Sequence, residues 1–123
     1  VLEDGLYVME NRLNDANFVN RLARFLRASM KGWEYAGNNP DEAADIVLEN
    51  DDTGAQTEKH QRRMMREINK LVANADQPNG IGYLDPSDYN RSVGVLLASG
   101  DAVISKPPKG AWTHKVYEAM TNL

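Results

Sequence analysis

The sequence predicts a mainly α-helical fold of about five packed helices with one or two short extended pieces. Apolar residues recur every three to four positions in five segments, which is the spacing of one helix face. Helix-start signals precede several of these segments, most clearly Asn39–Pro40 and Asp85–Pro86. No fixed repeat or low-complexity linker separates the helices, so residues 1–123 are expected to form a single helical unit.

The start of the chain has an extended rather than a helical pattern. Val1 and Leu2 precede a polar turn at Glu3, Asp4 and Gly5, and a second apolar run follows at Leu6–Met9. A strand of only two residues cannot make a stable pair by itself. We therefore expect the chain to be a fragment whose earlier residues are missing.

The next segment, beginning near Asp15, predicts two consecutive helices. Asp15 is a suitable N-cap for the first helix, and Gly37 and Asn38 end it. Its predicted apolar stripe consists of Phe18, Leu22, Phe25, Leu26, Ser29, Trp33 and Ala36. Asn39 is then expected to cap a shorter helix that ends near Glu49, with Pro40 at its first position and Glu42 completing a capping box.

Three further helices are predicted in the second half of the chain. One begins near Thr57 and ends before Pro78, another runs from Asp85 to Gly100, and the last follows Pro107 and Pro108. Their apolar positions are Met64, Ile68, Leu71, Val72 and Ala75, then Tyr89, Val93, Leu96 and Leu97, then Trp112, Val116, Ala119 and Met120. The second extended piece is expected around Val103 and Ile104.

Composition excludes several classes of protein. The net charge of -4 comes from 14 basic and 18 acidic residues mixed along the chain, which argues against a nucleic-acid module. The absence of cysteine excludes disulfides and thiolate chemistry. The longest apolar run, Val95–Ala98, is far shorter than the roughly 20 residues of a membrane-spanning helix.

No catalytic or metal-binding motif is evident. An EF-hand calcium loop with Gly54 at its sixth position would end on His60, where a bidentate glutamate is required, so a polar interhelix loop is expected. His60 and His114 belong to no local metal-binding pattern, and both are expected at the surface near helix starts. We therefore predict no enzyme activity, no metal and no cofactor.

Two charged stripes and two tryptophans are candidate binding features. Arg21, Arg24, Arg27 and Lys31 lie on one face of the first long helix, and Glu42, Asp45 and Glu49 lie on the next. The first stripe fits either an anionic phosphate or lipid partner or, as we favour, a solvated face; antiparallel packing would let the two stripes neutralise each other. Trp33 and Trp112 could form an aromatic box for a ligand, but their spacing favours the core.

The segment FLRASMKGWEYAGNNPDEAADIVLEN, with its Gly32–Trp33 and Asn39–Pro40 pairs, resembles a known family. It is similar to the carboxyl-terminal part of the periplasmic solute-binding proteins of ABC importers for nitrate, sulfonates, taurine and thiamine-precursor pyrimidines. The segments HQRRMMREINKLV, GIGYLDPSDYNRSVGVLL and GAWTHKVYEAM resemble the pyrimidine branch of the same family. The resemblance implies a two-lobe α/β receptor of which this chain is the last third to half.

The resemblance also implies a site, partners and a compartment. Residues 1–9 would be the return from the second lobe to the first, with Glu3 and Asp4 nearest the cleft and able to accept hydrogen bonds from a solute amine or amidine. The partners would be a small-molecule solute and an ABC permease, outside the cytoplasm in the periplasm or tethered to a membrane. Two alternatives stay open: a fragment of a thiamine-pyrimidine synthase-like enzyme, and a helical interaction domain that forms a homodimer.

Overall fold

The computed structural model describes residues 5–72, 78–99 and 104–123, and its fold is mainly helical, as predicted. A 3₁₀ helix, Glu10–Asn14, precedes five α-helices. These are α1 (Ala16–Asn38), α2 (Pro40–Glu49), α3 (Glu58–Val72), α4 (Pro86–Ala98) and α5 (Lys115–Thr121). The described ranges contain no β-strand: residues 6–9 are irregular and unpaired, Ile104 is irregular, and Val1, Leu2 and Val103 lie outside these ranges.

Two predicted N-caps are confirmed by hydrogen bonds. The Asp15 carboxylate accepts from the backbone N–H groups of Asn17 at 2.9 Å and Phe18 at 3.2 Å. The Asp85 carboxylate likewise accepts from the backbone of Ser87 at 2.7 Å, and it also caps Asp88. Each carboxylate satisfies N–H groups that have no partner inside the helix, which explains why α1 and α4 begin where they do.

The predicted cap of α2 is wrong, although the helix begins at the expected residue. The Asn39 side chain makes no capping bond and instead donates through Nδ2 to the carbonyl of Tyr35 at 3.0 Å. Glu42 does not close a capping box either; hydrogen bonding and negative charge from its carboxylate instead raise the pKa of the Tyr35 phenol. Asn39 N–H already donates to the Tyr35 carbonyl at 2.8 Å and needs no partner from Glu42.

The buried face of α1 differs from the predicted stripe. The buried residues are Val19 and Ala23, neither of which belongs to that stripe, while Phe25 is 60% exposed. Leu22 and Leu26 are half-buried, so the inward face follows the spacing Val19, Leu22, Ala23, Leu26. This face shares Leu22 and Leu26 with the predicted stripe and is rotated from it by about 60°.

The chain divides into two compact units, one formed by residues 1–26 and 82–123 and the other by residues 27–81. In the second unit α2 packs against α3, and Ala43 and Ala44 are buried there. In the first unit Val116 joins Val19 and Ala23 as a buried residue. The prediction of a single unit over residues 1–123 stays a prediction. None of the helices in the described ranges combines the length and the hydropathy that crossing a membrane requires.

The Asp85 cap gives a first testable prediction. We expect Asp85→Ala to lower the melting temperature of the protein by a few degrees, because two N–H groups at the start of α4 lose their acceptor. Asp85→Asn, which keeps a capping oxygen, should melt close to the wild type. Far-UV circular dichroism melts of the three proteins measure the difference.

The same cap should depend on pH. Hydrogen bonds from the Ser87 hydroxyl and from the Ser87 backbone lower the pKa of Asp85 below its ordinary value of 3.8. A carboxyl group whose pKa is lowered on folding stabilises the protein above its ordinary pKa and loses that contribution as the pH falls through the folded-state pKa. The difference in melting temperature between wild type and Asp85→Ala should therefore become smaller below about pH 4. A difference in melting temperature that is unchanged at about pH 2 would contradict the stabilising role of the Asp85 carboxylate.

Candidate functional site

The two residues that the resemblance assigns to a solute site, Glu3 and Asp4, lie outside the described residues. A site must therefore be sought among the side chains of residues 5–72, 78–99 and 104–123. Within these ranges, no group of three or more histidine, cysteine, aspartate or glutamate side chains is arranged to hold a metal ion. The remaining features are an aromatic cluster, an open pocket, a polar loop and an arginine-centred ion-pair network.

The aromatic cluster lies in the first unit and is centred on His114. The rings of Tyr83 and His114 stack with their centroids 4.4 Å apart and an interplanar angle of 24°. The ring of Trp112 is tilted by 52° relative to that of His114, and their centroids are 4.8 Å apart. Tyr117 meets Tyr83 edge to face at 5.2 Å, and Tyr89 lies 6.0 Å from Trp112. Such pairs stabilise a fold beyond the area that they bury.

His114 also joins the start of α5 to the segment before α4. Its Nε2 atom lies 2.8 Å from the carbonyl oxygen of Leu84, which can only accept a hydrogen bond. The ring is therefore oriented by a main-chain carbonyl rather than by a carboxylate, which favours a structural role over acid–base catalysis. The surface position predicted for His114 is only partly right, since the ring is half-buried, whereas His60 is exposed beside the start of α3.

The predicted burial of the two tryptophans is wrong. Trp33 and Trp112 are each 37% exposed, although both stand at helical spacing from other apolar residues. Trp112 also precedes α5, which begins only at Lys115, so its predicted place in the last helix is wrong as well. An aromatic residue at helical spacing meets a core only where another element covers it, and the described residues cover these two rings in part.

An open pocket in the first unit lies between the start of α1 and α5. Its volume is about 280 Å³, just under the range usual for sites that enclose a small ligand. The lining residues are Leu13, Asn14, Ala16, Val19, Asn20, Lys115 and Ala119. The Lys115 ammonium donates to the carbonyl of Leu13 at 2.6 Å, so its charge is used to tie α5 to the 3₁₀ helix. The pocket does not by itself form an enclosed solute cavity.

The loop between α2 and α3 confirms the predicted interhelix connection. The Asp51 carboxylate accepts from the backbone N–H groups of Thr53 at 3.0 Å and Gln56 at 2.9 Å, and from the Thr53 hydroxyl at 2.5 Å. These bonds, the Thr53 hydroxyl first, lower the pKa of Asp51. Gly54 takes φ +61°, a conformation that glycine adopts without strain. The carboxylate thus shapes the turn rather than holding an ion.

An arginine that the sequence did not single out neutralises the acidic face of α2. Arg62 on α3 contacts Asp45 at 2.6 Å, Glu58 at 2.9 Å and Asp41 at 3.4 Å, and it also donates to the Asp41 carbonyl. The hydrogen bond that Arg62 donates to Glu58, and then the charges of Asp45 and Glu58, raise the pKa of the guanidinium. The predicted pairing of the acidic stripe with the cations of α1 is therefore wrong for Asp45, whose partner is on α3.

Comparisons of the chain with family models, with curated proteins and with solved structures find no match. Geometry and sequence pattern therefore carry the functional argument. Sequence reasoning missed Arg62, Tyr83 and Tyr117. The available signal was the placement of Arg62 four residues after Glu58, since an i, i+4 pair of opposite charge predicts a helix-surface ion pair. The convergence of Tyr83 and Tyr117, distant in sequence, had no such signal.

Proposed function

We propose that the chain is the helical carboxyl-terminal part of the solute-binding component of an ABC importer. The solute would be a small molecule of the nitrate, sulfonate or taurine, or thiamine-precursor pyrimidine class, and the protein would present it to a membrane permease. The support is the resemblance around Gly32–Trp33 and Asn39–Pro40 together with the apolar surface described next. No reaction is catalysed in this proposal, and the compartment is the periplasm or the outer face of a membrane.

The single observation that carries the proposal is the apolar surface that the described residues leave uncovered. The buried side chains are small: Val19, Ala23, Ala43, Ala44 and Val116. Large apolar side chains such as Phe25, Ile46 and Val95 are exposed instead. Exposed apolar surface of this kind marks an interaction site, so these helices fit a part of a larger body better than an independent domain.

The run Leu6–Met9 gives the same indication in extended form. Tyr7 and Met9 are 85% and 73% exposed, whereas Leu6 and Val8 are 46% and 36% exposed. This alternation is that of extended backbone, and an uninterrupted apolar run is typical of a strand covered on both faces of a sheet. A two-lobe α/β receptor would supply such a sheet. In the sequence Glu3 and Asp4 come before the run, separated from it by Gly5, and the proposal places the solute cleft at these two residues.

Binding measurements on the product of the whole gene test the proposal. Titration calorimetry with an aminopyrimidine, taurine and nitrate should show binding of at least one solute at micromolar Kd or tighter. If an amine-bearing solute binds, Glu3→Gln and Asp4→Asn should each weaken it about tenfold or more by removing a charged acceptor. Glu10→Gln, in the 3₁₀ helix, is the matched control and should bind like the wild type. Absence of binding by every solute of these classes would remove the proposal.

The 123-residue chain by itself gives a separate prediction. We expect no micromolar binding of an aminopyrimidine, taurine or nitrate, because the pocket in the first unit is open and a two-lobe cleft needs surfaces that the described residues do not supply. Calorimetry on this chain alone is the measurement. A micromolar Kd would show that the site lies within these residues and would contradict the two-lobe proposal.

The same exposed apolar side chains favour a second candidate, a helical interaction domain that forms a homodimer. A symmetric dimer could cover surface that is otherwise left to water. Multi-angle light scattering of the 123-residue chain separates the two, because a dimer has twice the 13.7 kDa mass. A monomer at high micromolar concentration would remove the homodimer.

A further inference from the structure

α3 separates its cations from its apolar residues more sharply than α1, the other described helix with four cations on one face. On a helical wheel Lys59, Arg63, Arg66 and Lys70 fall within an arc of about 60°. Its apolar residues, Met64, Met65, Ile68, Leu71 and Val72, lie on the opposite side. A helix with a strongly basic face and a separate apolar face is typical of segments that lie on membrane surfaces.

The charge on this face is only partly compensated within the described residues. Lys70 pairs with Glu67 at 2.8 Å, and the pKa of Glu67 is lowered by Lys70 first and then by Arg63 and Arg66. Arg62 is taken up by three carboxylates and stands apart from this face. One carboxylate therefore serves three cations of the arc, and all four cations of the arc are exposed. An anionic surface would relieve their mutual repulsion.

The apolar side of α3 is covered unevenly. Met65, Ile68 and Val72 are half-buried, whereas Met64 is 42% and Leu71 is 65% exposed. On the helical wheel Met64 and Leu71 lie at one edge of the apolar side, about 80–100° around the helix from Arg63, so a surface that meets this flank of α3 can reach both groups. Nucleic acid offers no apolar layer for such side chains, but the headgroup region of a bilayer offers both anions and apolar chains.

We propose that α3 is a peripheral docking surface for an anionic lipid membrane. Lys59, Arg63, Arg66 and Lys70 contact headgroup phosphates, and Met64 and Leu71 enter the layer just below them. The inference goes beyond solute binding and does not depend on it, since no residue of the proposed cleft takes part.

Co-sedimentation with lipid vesicles tests the surface. The chain should bind vesicles of phosphatidylglycerol and phosphatidylcholine in preference to phosphatidylcholine alone, and the binding should fall as salt rises. Arg63→Gln/Arg66→Gln should weaken partition about 30-fold, since a cation near an anionic membrane surface is worth roughly fivefold. Lys106→Gln/Lys109→Gln removes the same charge from two exposed residues of the first unit and should change partition by less than about threefold.

Four outcomes would overturn the proposal. One is no binding to phosphatidylglycerol vesicles at low salt. Another is equal loss in the α3 variant and in the Lys106/Lys109 control, which would indicate a net-charge effect. The third is that Arg21→Gln/Arg24→Gln abolishes binding while the α3 variant retains it. Binding of an acidic polypeptide such as polyglutamate without binding of vesicles would also contradict a lipid partner.

A labelling experiment covers the case in which the double variant does not fold. The chain has no cysteine, so Leu71→Cys and Ser105→Cys each give a single site for an environment-sensitive fluorophore. On addition of phosphatidylglycerol vesicles, the label at position 71 should shift to shorter wavelength as it leaves water, and the label at position 105 should not. An unshifted label at position 71 on vesicle-bound protein would show that α3 does not face the membrane.

Discussion

Ala23→Leu is expected to lower the free energy of unfolding by about 1–3 kcal/mol. Ala23 is fully buried on the inner face of α1, next to the buried Val19 and the half-buried Leu22 and Leu26. Three added carbon atoms have no space there unless neighbouring side chains leave their preferred rotamers or the helix moves. Urea unfolding followed by far-UV circular dichroism gives the change in free energy, provided that the slope with urea is unchanged.

Ala28→Leu is the matched control because it places the same substitution on the same helix. Ala28 is exposed, and leucine is nearly as good a helix former as alanine, so the expected change is within about 0.5 kcal/mol. Comparing Ala23→Leu with Ala28→Leu separates the effect of core packing on stability from the effect of helix propensity. Equal effects at the two positions would show that the inner face of α1 is not centred on Val19 and Ala23.

This helix also shows how far sequence reasoning reached. The existence and ends of α1 followed from the Asp15 cap and from Gly37 and Asn38, because capping and backbone freedom are local properties. The inner face did not follow, because α1 has apolar residues on more than half of its circumference. Two overlapping stripes each have helical spacing, and the small residue Ala23 gives little weight to the correct one.

Asn39 and Glu42 show a different limit. Their positions match a capping box, and the helix begins at Pro40 as expected. The end of α1, however, is only one residue away and offers the carbonyl and the hydroxyl of Tyr35 as partners. A local motif predicts which groups can bond, and the neighbouring element decides which bonds form.

The position of the proposed solute site could not be predicted from the residue pattern. Glu3 and Asp4 were assigned by resemblance, and carboxylates suit amines at almost any exposed position, so the residue type alone selects no place in a fold. The aromatic cluster around His114 was not predicted for a different reason. The sequence predicts His114 at the surface and Trp112 in the core as two separate features. Only the fold, which stacks Tyr83 on His114, shows that they belong to one cluster.

Arg62→Met is the second substitution with a large expected effect. Methionine keeps an unbranched side chain and good helix propensity but leaves Asp41, Asp45 and Glu58 without the cation between them. We expect the melting temperature to fall by several degrees at low salt and by less in about 1 M sodium chloride, where charges are screened within about 3 Å. Arg66→Met is the control: Arg66 is exposed and lies one turn further along α3, so its substitution should change the melting temperature little at either salt concentration.

Arg62→Lys separates charge from geometry in this network. A lysine keeps the positive charge but cannot place separate N–H groups on both Asp45 and Glu58 in a fixed fork, as the guanidinium does through Nη2 and Nε. A melting temperature midway between wild type and Arg62→Met would show that the fork contributes beyond the charge. If Arg62→Lys is as stable as the wild type, the positive charge alone explains the stabilisation. The contacts made by the planar guanidinium would then add nothing to the packing of α2 against α3.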